Sequence, residues 1–364
     1  MLDNLTNLPP TMRAVVCYGP KDYRLEEVPV PQIGAGEVLV KVVLAGVCAS
    51  DVKCWLGAPK IWGEAGQDRY IQPPIIVGHE FVAQVVALGE GAGERDGLKV
   101  GDYVCSEQIV PCGECLYCRE GNHWLCEVHD IYGFHQATPG SWAEYMKFPA
   151  KALNFRVPEG VAPEEAVFVE PLACAIHTVN RAKIRFTDTV VIAGVGSLGM
   201  GMVAAAKMAG ASRIVAIDMH DDRLELAKVC GADIGLNPGK VDVVAEVKAM
   251  TGGYGCDVYI EATGNPKGVT QGLEMIRKMG RFVEFSVFKE LVTADWSIIG
   301  DTKELDIMGA HLSPHSYPVA IRMIEQGLLP MDRIISHKLP LEEFEKGIAL
   351  VADGSASLKV TLRP

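Results

Sequence analysis

The alternation of apolar and polar positions divides the chain into two parts with different rhythms. From residue 13 to about residue 148, short apolar runs are separated by glycine and proline, and valine recurs at every second position at the start of the run Val38–Val47. Strands are predicted at residues 14–18, 38–47, 75–88 and 103–106. This part of the sequence therefore predicts a β-rich domain.

After residue 163 the pattern changes to strands and helices in alternation. Strands are predicted at 189–195, 213–218, 257–262 and 281–287, and helices at 197–209, from 221, from 241 and at 266–279. Such alternation is typical of a parallel, doubly wound sheet. A helix at 341–352 and a strand at 357–362 are expected to rejoin the first domain. We therefore predict an α/β protein with domains at 1–165 and 166–309, and a C-terminal segment, 310–364, that returns to the first domain.

Composition and charge narrow the classes of function. The 364 residues include 34 basic and 46 acidic side chains, and the net charge of -12 argues against a nucleic-acid-binding protein. The longest apolar stretch, residues 190–206, is interrupted by glycines and Ser197, so we expect no membrane span. The first dozen residues lack the pattern of a secretory signal, and a cytoplasmic, reducing location is expected.

A glycine motif lies between a predicted strand and a predicted helix. Gly194, Gly196 and Gly199 form a G-x-G-x-x-G pattern, with Leu198 inside it. The first glycine permits a tight turn, the second lets the backbone approach a pyrophosphate, and the third allows the helix to pack on the strand. We predict that these four residues bind a dinucleotide; the alternative is a glycine turn that binds nothing.

An acidic residue follows at the spacing that such a site requires. Asp218 ends the next predicted strand, nineteen residues beyond Gly199. Its carboxylate is placed to accept hydrogen bonds from both adenosine ribose hydroxyls and would repel the extra phosphate of NADP, so NAD is the predicted cofactor. Arg223 either flanks the adenine or is solvated on the following helix.

Four of the eleven cysteines crowd into fifteen residues. Disulfides are not expected in a reducing compartment, so this cluster requires another explanation. Cys112, Cys115, Cys118 and Cys126 supply the four thiolates of a closed tetrahedral zinc site, whose role would be structural. The alternative is four unrelated buried thiols.

A second set of candidate ligands is spread along the chain. It consists of Cys48, His79, Glu80 and Glu170. Taken singly, the cysteine is typical of a buried strand end, the histidine of a loop, and Glu170 of a helix N-terminus. Spacing alone does not establish a second metal site.

These motifs occur together in a known order. The Cys48 segment, Gly78-His79-Glu80, the four-cysteine segment, Glu170-Pro171-Leu172 and the glycine motif follow one another as in zinc-dependent medium-chain dehydrogenases. The sequence resembles the polyol branch of that family, the relatives of sorbitol and xylitol dehydrogenases. The resemblance implies a dehydrogenase with a GroES-like β domain holding two zinc ions and a Rossmann domain binding NAD.

The resemblance also implies roles for individual residues. Cys48 and His79 would be ligands of the catalytic zinc, and either Glu80 or Glu170 would bind it directly, the other through water or during ligand exchange. The open zinc position would stabilise the substrate alkoxide before a hydride passes to the nicotinamide.

A proton relay is implied on the segment that follows Cys48. Ser50 would take the alcohol proton and pass it to the cofactor ribose; the alternative is a polar loop residue bonded to the backbone. Lys53 stands where many relatives continue the relay to a histidine, which leaves the exit of the relay open.

The substrate is inferred from departures within the branch. A tyrosine near the position of Cys54 and an arginine-tyrosine pair near residues 312–313, both typical of sorbitol-type relatives, are absent. The long segment between Cys48 and His79 contains Trp55, Trp62 and Tyr70, which narrow the pocket or line a subunit contact.

A small polyol is therefore favoured as the substrate. The overall pattern is similar to erythritol/L-threitol dehydrogenases, which implies oxidation to erythrulose; xylitol and sorbitol are further candidates. The alternatives are an L-threonine 3-dehydrogenase and a catalytically silent NAD-binding structural relative. The resemblance implies a homodimer or homotetramer, formed through the sheet edge near residues 305–310.

Overall fold

The computed structural model describes residues 8–64 and 68–364, and the chain divides into two units. The first unit comprises the chain up to Glu170 together with Ala320–Gln326 and Met331–Pro364. The second unit comprises Pro171–Val319 and Gly327–Pro330.

The strands and helices of both units are numbered here in chain order. The strands are β1 (Thr11–Gly19), β2 (Asp22–Pro29), β3 (Val38–Val47), β4 (Ile75–Ile76), β5 (Phe81–Leu88), β6 (Tyr103–Ser106), β7 (Ile109–Val110), β8 (Asp130–Ile131), β9 (Tyr145–Phe148), β10 (Asn154–Arg156), β11 (Thr189–Ala193), β12 (Arg213–Ile217), β13 (Ile234–Leu236), β14 (Cys256–Glu261), β15 (Ile276–Glu284), β16 (Asp306–Gly309), β17 (Ile335–Pro340) and β18 (Lys359–Arg363). The α-helices are α1 (Ala49–Trp55), α2 (Pro59–Trp62), α3 (Ala92–Asp96), α4 (Leu116–Arg119), α5 (Val169–Ala182), α6 (Ser197–Met208), α7 (Asp221–Val229), α8 (Val243–Met250), α9 (Pro266–Met275), α10 (Tyr317–Glu325), α11 (Met331–Ile334) and α12 (Phe344–Asp353).

The main sheet of the first unit brings the end of the chain beside its beginning. The strand order is β10-β6-β5-β3-β18-β17, with β9 also paired to β3. Strand β18 runs antiparallel to β3, with Val360 opposite Val47, and parallel to β17. A second sheet has the order β2-β1-β4. The first unit is thus the predicted β-rich domain, and its last strand lies next to the strand that leads into Cys48.

The strand predicted over residues 75–88 is broken in the structure, so that prediction was wrong. Strand β4 ends at Ile76 and β5 begins at Phe81. Gly78 lies in the break with φ at 97°, and a Cβ there would come within 2.3 Å of the Trp142 ring. Only glycine fits this position, and it turns the chain out of the strand geometry. His79 and Glu80 follow directly, outside the ladder of β5.

The second unit contains a parallel, doubly wound sheet, as predicted. Its strand order is β13-β12-β11-β14-β15-β16, and every neighbouring pair is parallel. The helix predicted over 266–279 was too long. It ends at Met275 because Ile276 is fully buried and pairs with Cys256 in the sheet instead of continuing the helix.

The contact division and the predicted domain ranges differ at three segments, residues 166–170, 310–319 and 327–330. Residues 166–170 group with the first unit, where the Cys105 thiol contacts the Ala166 carbonyl at 3.4 Å. Residues 310–319 group with the second unit, since the Ala310 amide bonds to the Glu284 carbonyl at 2.9 Å. In the part of the chain that the structure describes, no helix combines the length and apolar character needed to cross a membrane.

Candidate metal centres and nucleotide site

The four clustered cysteines meet on a single loop of the first unit. The sulfur atoms of Cys112, Cys115, Cys118 and Cys126 all lie within 4.8 Å of one another. Cys115 immediately precedes the short helix α4, and its sulfur accepts a hydrogen bond from the Cys118 amide at 3.5 Å. The structure therefore assembles the four-sulfur donor set that a structural zinc site requires.

Backbone amides stabilise negative charge on this loop. The Cys112 and Cys115 amides donate to the Cys126 and Cys112 sulfurs, both at 3.3 Å. Amide donors of Glu127 and Cys118 lower the pKa of the Cys115 thiol to about 6. Because a thiolate is the form that binds metal, this backbone geometry fits zinc.

Three of the dispersed candidates are brought together by the pairing of β3 and β5. Cys48 follows β3, whereas His79 and Glu80 precede β5, and the Gly46 amide bonds to the Glu80 carbonyl at 2.8 Å. The ligand atoms of Cys48, His79 and Glu80 lie within 4.8 Å of one another. A thiolate, an imidazole and a carboxylate are ligands that zinc accepts in open catalytic sites. This second donor set therefore also fits zinc.

Gly46 provides the space for this cluster. A Cβ at Gly46 would lie 2.0 Å from the Glu80 Oε2 atom, so a side chain at this position would collide with the carboxylate. The glycine of the sequence Gly46-Val47-Cys48 is therefore required by the position of Glu80.

Asp51 belongs to the same cluster and was missed by the sequence analysis. Its carboxylate accepts a hydrogen bond from the Cys48 amide at 2.8 Å and lies 3.5 Å from His79 Nδ1. Burial acts to lower the pKa of the His79 ring, but Asp51, Cys48 and Glu170 together raise it well above its ordinary value. A carboxylate behind a ligating histidine orients the ring. The available signal was the position of this acid. Asp51 is the third residue of α1, where an acidic side chain often bonds back to the amide of the residue that precedes the helix.

Lys359 is the second residue that the sequence analysis missed. Its Nζ lies 2.8 Å and 2.6 Å from the two carboxylate oxygens of Glu80, and both side chains are buried. The two residues are 279 positions apart, and the pairing of β18 with β3 brings them together. The available signal was a lysine at the start of a short apolar strand, since a buried lysine requires a partner.

Glu170 lies near this cluster but is held separately. It occupies the first turn of α5, is 6% exposed, and its Oε1 accepts a hydrogen bond from the Gln108 amide group. It is not one of the three side chains whose ligand atoms converge within 4.8 Å. Its charge nevertheless contributes to the raised pKa of His79.

The predicted relay residues lie on α1. The Ser50 hydroxyl is 3.3 Å from His79 Nε2, which places it at the cluster. Lys53 is three residues further along the same helix and is half-buried.

The glycine motif in the second unit adopts the geometry predicted for it. Gly194 has φ at 89°, and a Cβ there would lie 2.7 Å from the Ala262 backbone. A Cβ on Gly199 would lie 2.0 Å from the Gly194 carbonyl oxygen, so the helix packs too closely for any other residue. Gly196 precedes α6 and faces open space, and Leu198 is half-buried in the first turn. The free amides at this helix start fit a pyrophosphate.

Asp218 connects this turn to the end of β12. Its carboxylate accepts hydrogen bonds from the Val195 and His220 amides, both at 3.0 Å. Arg223 Nη1 lies 4.0 Å from Asp218 Oδ2, and the arginine side chain is 15% exposed, so it is packed rather than solvated. The carboxylate therefore lies beside the glycine turn, where a ribose would reach it.

Both halves of the chain match known protein families. A family model described as an alcohol dehydrogenase GroES-like domain matches residues 34–159. A second model, described as a zinc-binding dehydrogenase, matches residues 197–326.

Two curated relatives and one solved structure match nearly the whole chain. The erythritol/L-threitol dehydrogenase of Mycolicibacterium smegmatis is 53% identical over 357 residues, 98% of this chain and 99% of the relative. An L-threonine 3-dehydrogenase of Bacillus velezensis is 37% identical over 93% of this chain and 95% of the relative. A structure described as a short chain alcohol dehydrogenase from E. coli CFT073, complexed with NADH, has a TM-score of 0.86 and 28% identity, covering 98% of this chain and 100% of its own.

Proposed function

The chain belongs to the zinc-binding dehydrogenase family with an alcohol dehydrogenase GroES-like domain, and we propose that it oxidises a secondary hydroxyl of a small polyol with NAD. The family matches and the full-length relatives confirm the resemblance predicted from the motifs. The observation that carries the proposal is the convergence of Cys48, His79 and Glu80 within 4.8 Å. Erythritol or L-threitol is the favoured substrate, with erythrulose as the product; the 53% identical relative supports this choice.

In this proposal Cys48, His79 and one carboxylate hold the catalytic zinc. A zinc ion bound there supplies Lewis-acid polarisation of the substrate hydroxyl. Glu80 is favoured as the carboxylate ligand because one of its oxygens lies within the cluster, whereas Glu170 bonds to Gln108 outside it. Lys359 balances the charge of Glu80, and Asp51 keeps the His79 ring in orientation. The four-cysteine loop holds a second zinc with a structural role.

Ser50 is the proposed acceptor of the substrate proton. Its hydroxyl lies next to His79 Nε2 at 3.3 Å, so it is close to the group that binds the reacting oxygen. A hydroxyl can accept one proton while donating its own, which is the property a relay requires. We propose that Lys53, further along α1, forms the exit of this relay in place of a histidine.

Asp218 supports NAD as the proposed cofactor. Its carboxylate lies at the glycine turn and would bond the ribose hydroxyls, while its charge disfavours a 2′-phosphate. Gly194, Gly196, Leu198 and Gly199 form the surface for the pyrophosphate.

A side-by-side assay tests the substrate. NADH production is measured with erythritol, L-threitol, xylitol, sorbitol and L-threonine, and with NADP in place of NAD. We expect the highest kcat/KM with a four-carbon polyol and NAD, and about two zinc ions per chain by metal analysis. Highest turnover of L-threonine would contradict the polyol assignment.

L-threonine 3-dehydrogenase activity is the second candidate. The Bacillus velezensis relative, with 37% identity over most of both chains, is the observation in its favour. A catalytically silent relative is disfavoured because Cys48, His79 and Glu80 are all present and adjacent. One zinc per chain and no turnover of any substrate would instead support that silent protein.

We further propose that the enzyme is a cytoplasmic homodimer or homotetramer. The four-sulfur site requires reduced cysteines, which fits a reducing compartment.

Strand β16 forms an edge of the sheet in the second unit, and Ile307 on it is 43% exposed. Trp296, in the segment before β16, is 77% exposed. An unpaired edge with exposed apolar side chains is suited to pairing with a second copy. Light scattering of the wild type and of Ile307→Lys, in which we expect a smaller species, tests this.

A further inference from the structure

A fully buried carboxylate lies at the edge of the second unit's sheet where a dinucleotide would bind. Glu261 is the last residue of β14, and its side chain is not exposed at all. Its Oε1 accepts hydrogen bonds from the Thr263 amide, at 2.9 Å, and from the Thr263 hydroxyl. Its Oε2 accepts one from the Gly264 amide at 3.3 Å. A buried carboxylate is unfavourable unless donors satisfy it, and these donors come from the next three residues. The carboxylate therefore fixes the conformation of residues 262–264, named here the β14 turn.

The β14 turn packs against the ends of both neighbouring strands. The Ala262 amide donates to the Ala193 carbonyl at 2.8 Å, and a Cβ on Gly194 would lie 2.7 Å from the Ala262 backbone. On the other side, the Gly264 amide also donates to the Ser286 hydroxyl at 3.0 Å, just beyond the end of β15. The turn thus lies between the glycine motif and the end of β15.

Helix α9 is built around the same carboxylate. A Cβ on Gly268 would lie 2.7 Å from Glu261 Oε1 and 2.9 Å from Thr263 Oγ1, so a side chain there would displace both. The Thr263 hydroxyl accepts the Asn265 amide at 2.9 Å, and the Asn265 side chain accepts the Lys267 amide at 3.0 Å in the first turn of α9. Through Thr263, the carboxylate is connected to the start of the helix as well as to the sheet.

The strand order indicates which part of a dinucleotide would lie over the β14 turn. β11 lies between β12 and β14, so the chain crosses from one side of β11 to the other after β13. In such sheets a dinucleotide binds outside the carboxyl ends of the strands, across the point where the order reverses. Asp218 follows β12 and is the proposed partner of the adenosine ribose. The nicotinamide half therefore extends to the opposite side, over the ends of β14 and β15.

We propose that Glu261 is a positioning residue for the cofactor, because its buried carboxylate holds the β14 turn in the conformation that receives the nicotinamide half of NAD. This inference rests on the NAD binding proposed above. Asp218 bonds to the Val195 and His220 amides and not to Glu261. Loss of the Glu261 carboxylate should therefore weaken binding of NADH more than binding of ADP, which lacks the second ribose and the nicotinamide.

The test measures the Kd values of NADH, by fluorescence titration, and of ADP, by calorimetry, with the full-length chain. Glu261→Gln keeps the shape of the side chain but turns one acceptor into an N–H donor that faces the turn. We expect the Kd of NADH to rise about tenfold and that of ADP to stay within about twofold. The KM for NAD should rise with the Kd of NADH, while kcat at saturating NAD changes less.

Variants of Thr263 test the same hydrogen bond from the exposed side of the turn. Thr263→Val removes the hydroxyl that bonds to Glu261 and should cause part of the same loss for NADH, whereas Thr263→Ser keeps the hydroxyl and should recover most of the affinity. Since both residues act through one bond, Glu261→Gln/Thr263→Val should lose less than the sum of the two single losses. If Glu261→Gln does not fold, the comparison of valine with serine at position 263 decides the inference.

Asp257→Asn is the matched control at the opposite end of β14. The Asp257 carboxylate accepts the Thr189 amide at 2.8 Å and pairs with Arg277 at 2.6 Å. This variant should lower the thermal midpoint but keep the wild-type Kd of both NADH and ADP.

Three results would overturn the role of Glu261. They are an equal loss for NADH and ADP in Glu261→Gln, unchanged NADH affinity in that variant, and equal NADH affinity of Thr263→Val and Thr263→Ser. A wild-type chain that binds neither NADH nor ADP would instead overturn the proposed cofactor, and the role of Glu261 with it.

Discussion

The four-cysteine loop and the cluster at Cys48 offer zinc comparable donor sets, but they are built in opposite ways. The loop takes all of its ligands from fifteen consecutive residues, whereas the cluster takes Cys48 from the end of β3 and His79 and Glu80 from the break before β5. The loop is organised by its own backbone amides. The cluster depends on Asp51 and on Lys359, whose strand lies at the other end of the chain.

This difference indicates how each site should respond to change. A local loop closed by four thiolates has no open position, and its loss should affect folding more than chemistry. A cluster with three converging side chains keeps a position for substrate, and its loss should affect chemistry first. Three substitutions test this contrast and a fourth tests the nucleotide site, in order of decreasing expected effect.

Removing a ligand of the dispersed cluster should have the largest effect. In Cys48→Ala we expect turnover to fall by about four orders of magnitude, because polarisation of the substrate oxygen is lost with the metal. Metal analysis should show one zinc per chain in place of two. Cys230→Ala, which removes a buried thiol of the second unit, serves as the control. It should keep the turnover and both zinc ions of the wild type. Normal turnover in Cys48→Ala would remove the cluster from the mechanism.

Removing the partner of Glu80 should chiefly destabilise the first unit. Lys359→Met leaves a buried carboxylate without its counter-ion, and we expect a loss of about 3–5 kcal/mol in the free energy of unfolding, measured by urea denaturation. Lys338→Met changes an exposed lysine on the neighbouring strand β17 and should cost less than about 0.5 kcal/mol. The double variant Glu80→Gln/Lys359→Met should be more stable than Lys359→Met alone. Equal stability of the two lysine variants would mean that the pair contributes nothing.

Removing a ligand of the local loop should separate stability from chemistry. In Cys115→Ser we expect the loss of one zinc and about 2–3 kcal/mol of stability, because metal binding to the loop contributes to folding. At low temperature kcat/KM should remain within about fivefold of the wild type. A loss of turnover as large as in Cys48→Ala would contradict the division into a structural and a catalytic site.

Changing the acid beside the glycine turn should have the smallest effect. Asp218→Asn keeps the shape but removes the charge that disfavours a 2′-phosphate, so we expect the preference for NAD over NADP to fall about tenfold, or about 1.4 kcal/mol. The ratio of kcat/KM with the two cofactors measures this. Asp221→Asn, at the exposed start of α7, is the matched control and should leave the ratio unchanged. If Asp218→Asn and Asp221→Asn show the same preference for NAD over NADP, a residue other than Asp218 discriminates between the two cofactors.

The sequence predictions were accurate where a feature depends on neighbouring residues, and they failed where it depends on residues distant in the chain. The run Val38–Val47 is largely buried and was predicted with its observed bounds. The strand predicted over 75–88 failed because the conformation of Gly78 depends on the Trp142 ring, 64 positions further along the chain. The prediction of a helix over 266–279 was wrong at its end because Ile276 pairs with β14 in the sheet. In both cases a contact distant in sequence overrode the local pattern.

The sequence by itself determined the local constellations: the four cysteines on one loop and the glycine turn before a helix. Each is encoded by spacing within a few residues, and the local backbone geometry determines how those residues are arranged. Only the tertiary structure decided that Glu80 is paired with Lys359 and that Glu170 bonds to Gln108. Both pairs arise from segments far apart in the chain, and both depend on long-range packing that periodicity does not record.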